Sequence, residues 1–398
     1  MIKNTMAASW EVSEIVAMLR MTNRDGLERL YAQAYEKKIE NRGANVYFRG
    51  LIEISNKCRK NCLYCGIRNG NEKVVRYDLT DKQVLDEAQF ALDAGYGSVV
   101  LQGGEQSGRA FTERITGLVE ELVKLRRSKM AKGVMKKNSD HGGDCDNDPC
   151  NSCDSGSRSG ISGESSLGIT LSLGEQSKEV YHQWYQAGAH RYLLRIEASN
   201  KELYNKIHPV DNDVDKKNHS YESRIQALKD LQLVGYLTGT GVMIGLPFQT
   251  YEDLAHDLLF FKELGVDMVG MGPYIPHGDT PLGRMYPTPG ELGNLSYRGK
   301  LELSLKMVAV LRCLMPHINI AATTALQVLA PDGRERALLA GANIIMPNVT
   351  DLSVKGNYNL YDGKPGLCDD AGATKDKLEK NLAELGIPIG WDMKGDWR

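Results

Sequence analysis

The chain has 398 residues, 41% hydrophobic and 25% charged, with a formal net charge of −2. Those values fit an enzyme-sized globular protein and exclude a disordered or collagen-like chain. Lys+Arg 49 against Asp+Glu 51 leaves no basic excess for nucleic acid, and no run approaches the ~20 apolar residues that span a bilayer, so neither a nucleic-acid partner nor a membrane is expected.

The N-terminal stretch has no apolar signal core and carries Glu11 and Glu14, which predicts an intracellular, cytoplasmic protein. Two helical segments follow, 10–20 and 26–40, placed to close the bottom or side of what comes next. From 46 to 348 one alternation repeats: a short β-branched run, a turn, an amphipathic helix ending in Gly, then the next run. The strands are predicted at 47–55, 98–103, 168–174, 191–198, 239–246, 268–273, 319–324 and 343–347. Strands alternating with helices predict a parallel sheet, and eight units close an α/β barrel of the (β/α)8 TIM type. Thr80 with Gln83 forms a capping box for a helix that stops at Gly95, and Thr250 caps a helix that stops at Gly265. Ile115, Leu118, Val119, Leu122 and Leu125 make one apolar stripe, read as core.

One segment breaks the pattern. From about 127 to 167 the chain is rich in Gly, Ser, Asp and Asn, and such composition predicts disorder because burial cannot repay the entropy of ordering. Leaving after the second barrel helix and returning before the third strand, it belongs to the face opposite the βα loops that carry barrel active sites. The organisation is therefore a helical extension (1–45), a barrel with this insertion (46–348) and an irregular tail (349–398), in which Tyr358, Tyr361 and Trp391 are packing anchors.

The cysteines fall into groups. Cys145, Cys150 and Cys153 lie in the insertion, where no His-rich surroundings support a dedicated site, and Cys313 and Cys368 stand alone. Cys58, Cys62 and Cys65 form a C-x3-C-x2-C run directly after the first strand, at the end where barrels do chemistry. A disulfide framework does not suit a large non-secreted chain, and tetrahedral zinc needs a fourth Cys or His that is not evident here. Cubane iron–sulfur clusters ordinarily take four cysteines, so three thiolates leave a metal position open.

The run Cys58-Arg-Lys-Asn-Cys62-Leu-Tyr-Cys65 resembles the signature of the radical S-adenosylmethionine (SAM) superfamily. The resemblance implies a 4Fe-4S cluster on Cys58, Cys62 and Cys65, with SAM chelating the unique iron and being cleaved by one electron to a 5′-deoxyadenosyl radical. Gly103, Gly104 and Glu105 then match the element that receives the methionyl amino group. Glu175 is placed for the ribose hydroxyls or the amino group, and Arg195 for the SAM carboxylate. Met243 and Tyr64 are placed to border the adenine.

Beyond the superfamily signature, the runs ending at Glu175 and starting at Arg191 and Gly245, with Ala322-Thr-Thr-Ala325 and Ile345-Met-Pro-Asn348, resemble the HydE family of FeFe-hydrogenase maturases. That resemblance implies an organometallic iron precursor of the diiron H-cluster as substrate, with Thr323, Thr324 and Met346 lining its pocket. It also implies a reduced electron donor such as ferredoxin or flavodoxin, other hydrogenase maturation proteins as partners, and an anaerobic organelle (hydrogenosome or plastid) as the alternative location. The tail offers only Cys368, so the accessory C-terminal cluster of some family members is expected to be missing. The rival readings are a methylornithine synthase or biotin-synthase-like enzyme and, from another class, a noncatalytic iron–sulfur carrier.

Overall fold

A computed structural model of the chain describes residues 10–139, 167–208, 219–285 and 288–396, the side chains of 126–139 excepted. The β-branched runs become strands that follow one another round a ring: β1 (Tyr47–Ser55), β2 (Ser98–Gly103), β3 (Gly168–Ser172), β4 (Arg191–Leu193), β5 (Leu237–Thr240), β6 (Met243–Ile244), β7 (Met268–Val269), β8 (Gly272–Pro273), β9 (Asn319–Ile320) and β10 (Ile344–Ile345). Their order is β10-β1-β2-β3-β4-β5-β7-β9, all parallel, and a parallel bridge between Ala321 and Ile344 joins the two ends into a barrel. The fifth and sixth predicted strands are each interrupted. β5 and β7 stop at Thr240 and Val269, and pairing resumes above as β6 with β8.

The helices start and stop where local chemistry says they should. Thr80 and Gln83 form their capping box at the helix Asp81–Asp93, and Thr250 caps Tyr251–Leu264, which ends on Gly265 at φ 67°. Ile115, Leu118, Val119 and Leu122 are buried as predicted. The helix Arg109–Ser139 runs past 127, where composition predicts disorder, because Met130, Ala131 and the lysines around them are good helix formers. The rest of the predicted insertion, with Cys145, Cys150 and Cys153, lies outside the described residues.

The N-terminal helices Val12–Arg20 and Arg24–Arg42 pack against the barrel's flank, on the helices Tyr251–Leu264 and Tyr297–Leu314. The floor is closed by the other end of the chain. Val46 donates to Pro388 O at 2.9 Å and Gly390 donates to Val46 O at 2.9 Å, while Trp391 lies edge-on to Phe48 and stacks on Tyr96. Earlier in the tail, residues 357–364 cross the opposite, upper end as a strap. Gly66 donates to Leu360 O at 3.0 Å, Asp362 donates to Pro276 O at 3.1 Å, and Lys364 reaches the buried Glu53 at 2.6 Å.

Candidate active site

The cysteine loop leaves the upper end of β1 and lies over the barrel mouth. Two glycines make the approach possible. A Cβ on Gly104 would stand 2.2 Å from Lys57 O and 2.8 Å from Cys58 Cβ, and Gly174, at φ 76°, would drive a Cβ to 2.4 Å from the Glu105 side chain. With these contacts free, the turn after β2 brings its backbone to the loop, and the Glu105 N–H donates to Cys58 Sγ at 3.3 Å.

Cys58 sits close enough to raise Cys62, and both raise Cys65. Burial first, and then the neighbouring cysteines, push the Cys62 thiol up to about 12 and Cys65 well above its ordinary value, and burial pushes Cys58 up. Thiols raised in this way rest neutral, and a positive metal centre would take all three as thiolates. Among the described residues, no three His, Cys, Asp or Glu side chains gather as the ligands of a single metal ion would. A cubane puts each thiolate on a different iron and needs no common point. The donor set fits such a cluster.

Beneath the loop lies a lattice of buried charges. Lys60 Nζ stands 3.3 Å from Glu105 and 3.2 Å from Glu175, Arg59 Nε donates to Glu105 at 2.9 Å, and Arg224 forms an ion pair with Glu175 and donates to Arg195 O. The Glu175 N–H donates back to Glu105 Oε2 at 2.9 Å. Burial raises both carboxyls; at Glu175 the charges of Arg224 and Lys60 outweigh it and hold the group below its usual range, whereas Glu105 stays raised because the Glu175 charge adds to burial. Both carboxyls face Lys60, with Arg59 beside Glu105 and Arg224 beside Glu175.

On the next strand Arg195 pairs with Glu197 at 3.0 Å and donates to Val242 O at 2.8 Å. Glu197 takes φ 66°, a left-handed conformation uncommon for a residue with a side chain and a mark of a constrained site. Beside the cysteine loop Met243 is buried in an apolar cluster with Ala198, Leu246 and Tyr274, against which Tyr64 packs. The Tyr64 hydroxyl meets His208 Nε2 at 3.0 Å, and because burial holds that imidazole well below its ordinary value it is neutral. Across the mouth, Thr323 Oγ1 donates to Met271 O at 3.3 Å; Thr323, Thr324 and Met346 are all part-exposed, the last packing on Tyr47 and Ile344.

Gly104, Glu105 and Glu175 thus meet at the cysteine loop while Gly103 packs on Ile54 and Leu173, Tyr64 and Met243 share one apolar wall, and Thr323 and Thr324 stand beyond the end of β9 across the ring. Sequence reasoning missed Lys60, Arg224 and His208. Arg224 left a signal: on the helix Tyr221–Val234 it is in phase with buried Ala227, Leu228 and Leu231, and a charge in the core stripe of a helix needs a buried partner. His208 left none, since its role depends on Tyr64 from a distant loop.

The chain belongs to the Radical SAM superfamily, whose family model matches residues 52–261. It is a radical SAM enzyme, and the cofactors of that family are a 4Fe-4S cluster and SAM. A curated relative, the [FeFe] hydrogenase maturase subunit HydE of Thermotoga maritima, is 37% identical over 95% of this chain and 91% of its own length. The 3-methylornithine synthase of Methanosarcina barkeri is 24% identical over 87% of this chain and 83% of its own. Among solved structures, methylornithine synthase superposes at TM-score 0.70 with 22% identity, covering 97% of this chain and 96% of that one, a likeness of fold. The hydrogenase maturase HydG does so at 0.67 with 18% identity, covering 95% and 72%. No helix among the described residues is long and apolar enough to cross a membrane.

Proposed function

We infer that this enzyme acts in maturation of FeFe hydrogenase, cleaving SAM reductively to process an iron-bearing precursor of the diiron H-cluster. The observation that carries the reading is the reach of the HydE likeness. Identity of 37% runs over 95% of the chain, so it takes in the barrel interior and tail as well as the cysteine loop that all superfamily members need.

In this reading Cys58, Cys62 and Cys65 hold the cluster, which, when bound and reduced, supplies the electron that splits SAM into methionine and the 5′-deoxyadenosyl radical. The chain's own residues do the rest. Gly103 and Gly104 keep the β2 turn low enough for Glu105 to meet the methionyl amino group, and Lys60 and Arg59 keep that carboxylate turned toward the loop. Glu175, held ionised by Arg224, is the acceptor for the ribose hydroxyls, and Arg195 is the cation facing the SAM carboxylate. Met243 and Tyr64 wall the adenine, with neutral His208 fixing the tyrosine ring. Thr323, Thr324 and Met346 line the space below, where the precursor is bound. The Glu53–Lys364 pair ties the strap down over that space. The electron comes from a reduced carrier such as ferredoxin or flavodoxin, and the product passes to other maturation proteins in the cytoplasm.

The test is complementation of hydrogenase activity in a maturase-deficient strain, with methylornithine assayed in parallel. Restored hydrogenase activity without methylornithine supports the reading; methylornithine formation without restoration replaces it.

A further inference from the structure

The sulfurs of the cysteine loop do not all have the same kind of partner. Cys58 accepts from the backbone N–H groups of Lys60 and Glu105, the latter at 3.3 Å, and Cys65 accepts from the backbone N–H of Ile67. Those donors are fixed, because an amide N–H points one way. Cys62 has a hydroxyl within hydrogen-bonding reach, that of Tyr64. A hydroxyl carries one proton and turns about its C–O bond, so it can offer that proton to the sulfur or turn it away.

His208 settles the direction. The residue is only 1% exposed, its Nδ1 stands 3.1 Å from Tyr204 O, and its Nε2 stands 3.0 Å from the Tyr64 hydroxyl. A carbonyl oxygen only accepts, so Nδ1 carries the ring's proton. Burial, and after it the charges of Arg224 and Lys60, keep the imidazole from taking a second one, which leaves Nε2 as an acceptor. The Tyr64 hydroxyl therefore donates to Nε2, and its oxygen presents lone pairs toward Cys62 Sγ. The ring is held in place. It stacks on Tyr204 with centroids 4.1 Å apart and stands edge-on to Tyr64 at 5.4 Å, while the Leu63 N–H donates to Ile207 O at 3.0 Å and ties the two loops together.

That direction matters for a sulfur that binds iron. A hydrogen bond to a cluster sulfur favours the reduced state, which carries one more negative charge, and so raises the reduction potential. Splitting a sulfonium by one electron calls for a strongly reducing centre. We propose that His208 is a positioning residue that draws the Tyr64 proton away from Cys62 Sγ and thereby keeps the reduction potential of the cluster low. This rests on the reading of Cys62 as a cluster ligand and adds a residue that acts on it only through Tyr64.

The test is a reductive titration of the reconstituted holoenzyme without SAM, followed by electron paramagnetic resonance. His208→Phe keeps a stacked ring and removes the acceptor, which frees the Tyr64 proton for the sulfur. At a fixed potential the ratio of reduced to oxidised cluster is expected to rise about tenfold, the worth of one hydrogen bond and equal to about 59 mV for one electron. His208→Gln, which brings an amide oxygen to the Nε2 position, should return the wild-type value. In the double variant His208→Phe, Tyr64→Phe the rise should vanish, whereas a purely structural role for His208 would leave it. An unchanged potential in His208→Phe, or a rise that survives loss of the hydroxyl, overturns the proposal. If His208→Phe does not fold, nitrogen-15 NMR of the full wild-type chain before cluster loading decides: the Nδ1–H tautomer of His208 is expected, and the Nε2–H tautomer overturns the proposal. Neither readout needs substrate or partner, so hydrogenase complementation judges the maturase reading separately.

Discussion

The two ends of the barrel bury similar charges and use them in opposite ways. At the floor Arg49 and Arg191, both inside the ring, face Asp396 of the tail at 3.5 Å each, and Arg42 and Asn319 hold the neighbouring Gly395 O at 2.5 and 2.9 Å. His190 Nε2 lies 3.1 Å from Arg191 Nε and 3.4 Å from Asp396 Oδ2, and burial pushes that imidazole down to about 4, so it is neutral and the arginines carry the charge pairing. The chain supplies its own anion there and seals the end. At the mouth the acids and bases are laced across several loops. The floor holds its arginines on the chain's own tail, whereas the mouth holds its charges between loops that also carry the cysteines.

Variants at the two ends should therefore separate activity from stability. Cys62→Ser is expected to abolish 5′-deoxyadenosine formation in anaerobically reconstituted protein, with the iron content and its spectrum falling together; retained cleavage would remove the cysteine loop from the chemistry. Arg224→Met strips Glu175 of its main counter-charge and is expected to cost about 3–5 kcal/mol, as removal of one partner from a buried pair does. Denaturant unfolding measures that cost, and SAM binding should weaken in the same protein.

At the floor, Asp396→Asn should lower stability by about 2–3 kcal/mol at pH 7 by leaving two buried arginines uncompensated, while SAM cleavage per loaded cluster stays at the wild-type level. Burial alone would raise this carboxyl, but the His190 contact and the charges of Arg191 and Arg49 hold it well below the usual range. Its contribution is therefore present above the ordinary carboxylate pKa and is lost as pH falls through the depressed one, so the gap between variant and wild type should narrow in acid. Loss of cleavage in Asp396→Asn would break the comparison.

The smallest effect lies between the ends. Burial pushes Glu87 up to about 7, its Oε1 accepts from the Asp351 N–H at 2.8 Å, and its Oε2 has no partner. A raised carboxyl stabilises while protonated and loses that stability as pH rises through its folded value. Glu87→Gln keeps the acceptor, so it should match wild type near pH 5 and exceed it near pH 8 by on the order of 1–2 kcal/mol, read as a difference in melting temperature.

How much was legible can be judged from particular elements. The ring of strands, the caps at Thr80 and Thr250 and the cysteine loop were readable because each depends on neighbours within a few residues, and turn, cap and periodicity rules act over that range. The interrupted fifth and sixth strands were not, since pairing across the ring decides where β5 gives way to β6. The helix continuing past 127 shows local propensity outlasting a change in composition.

By itself, the order of residues determined the barrel's periodicity, the three sulfur ligands and the glycines that let a turn come close to them. Only the tertiary structure decided that Arg224 would reach Glu175, that His208 would brace Tyr64, and that the tail would cap one end and strap the other. The physical reason is that a charge's state depends on what surrounds it in space. Those surroundings come from segments tens to hundreds of residues apart, which no local pattern encodes.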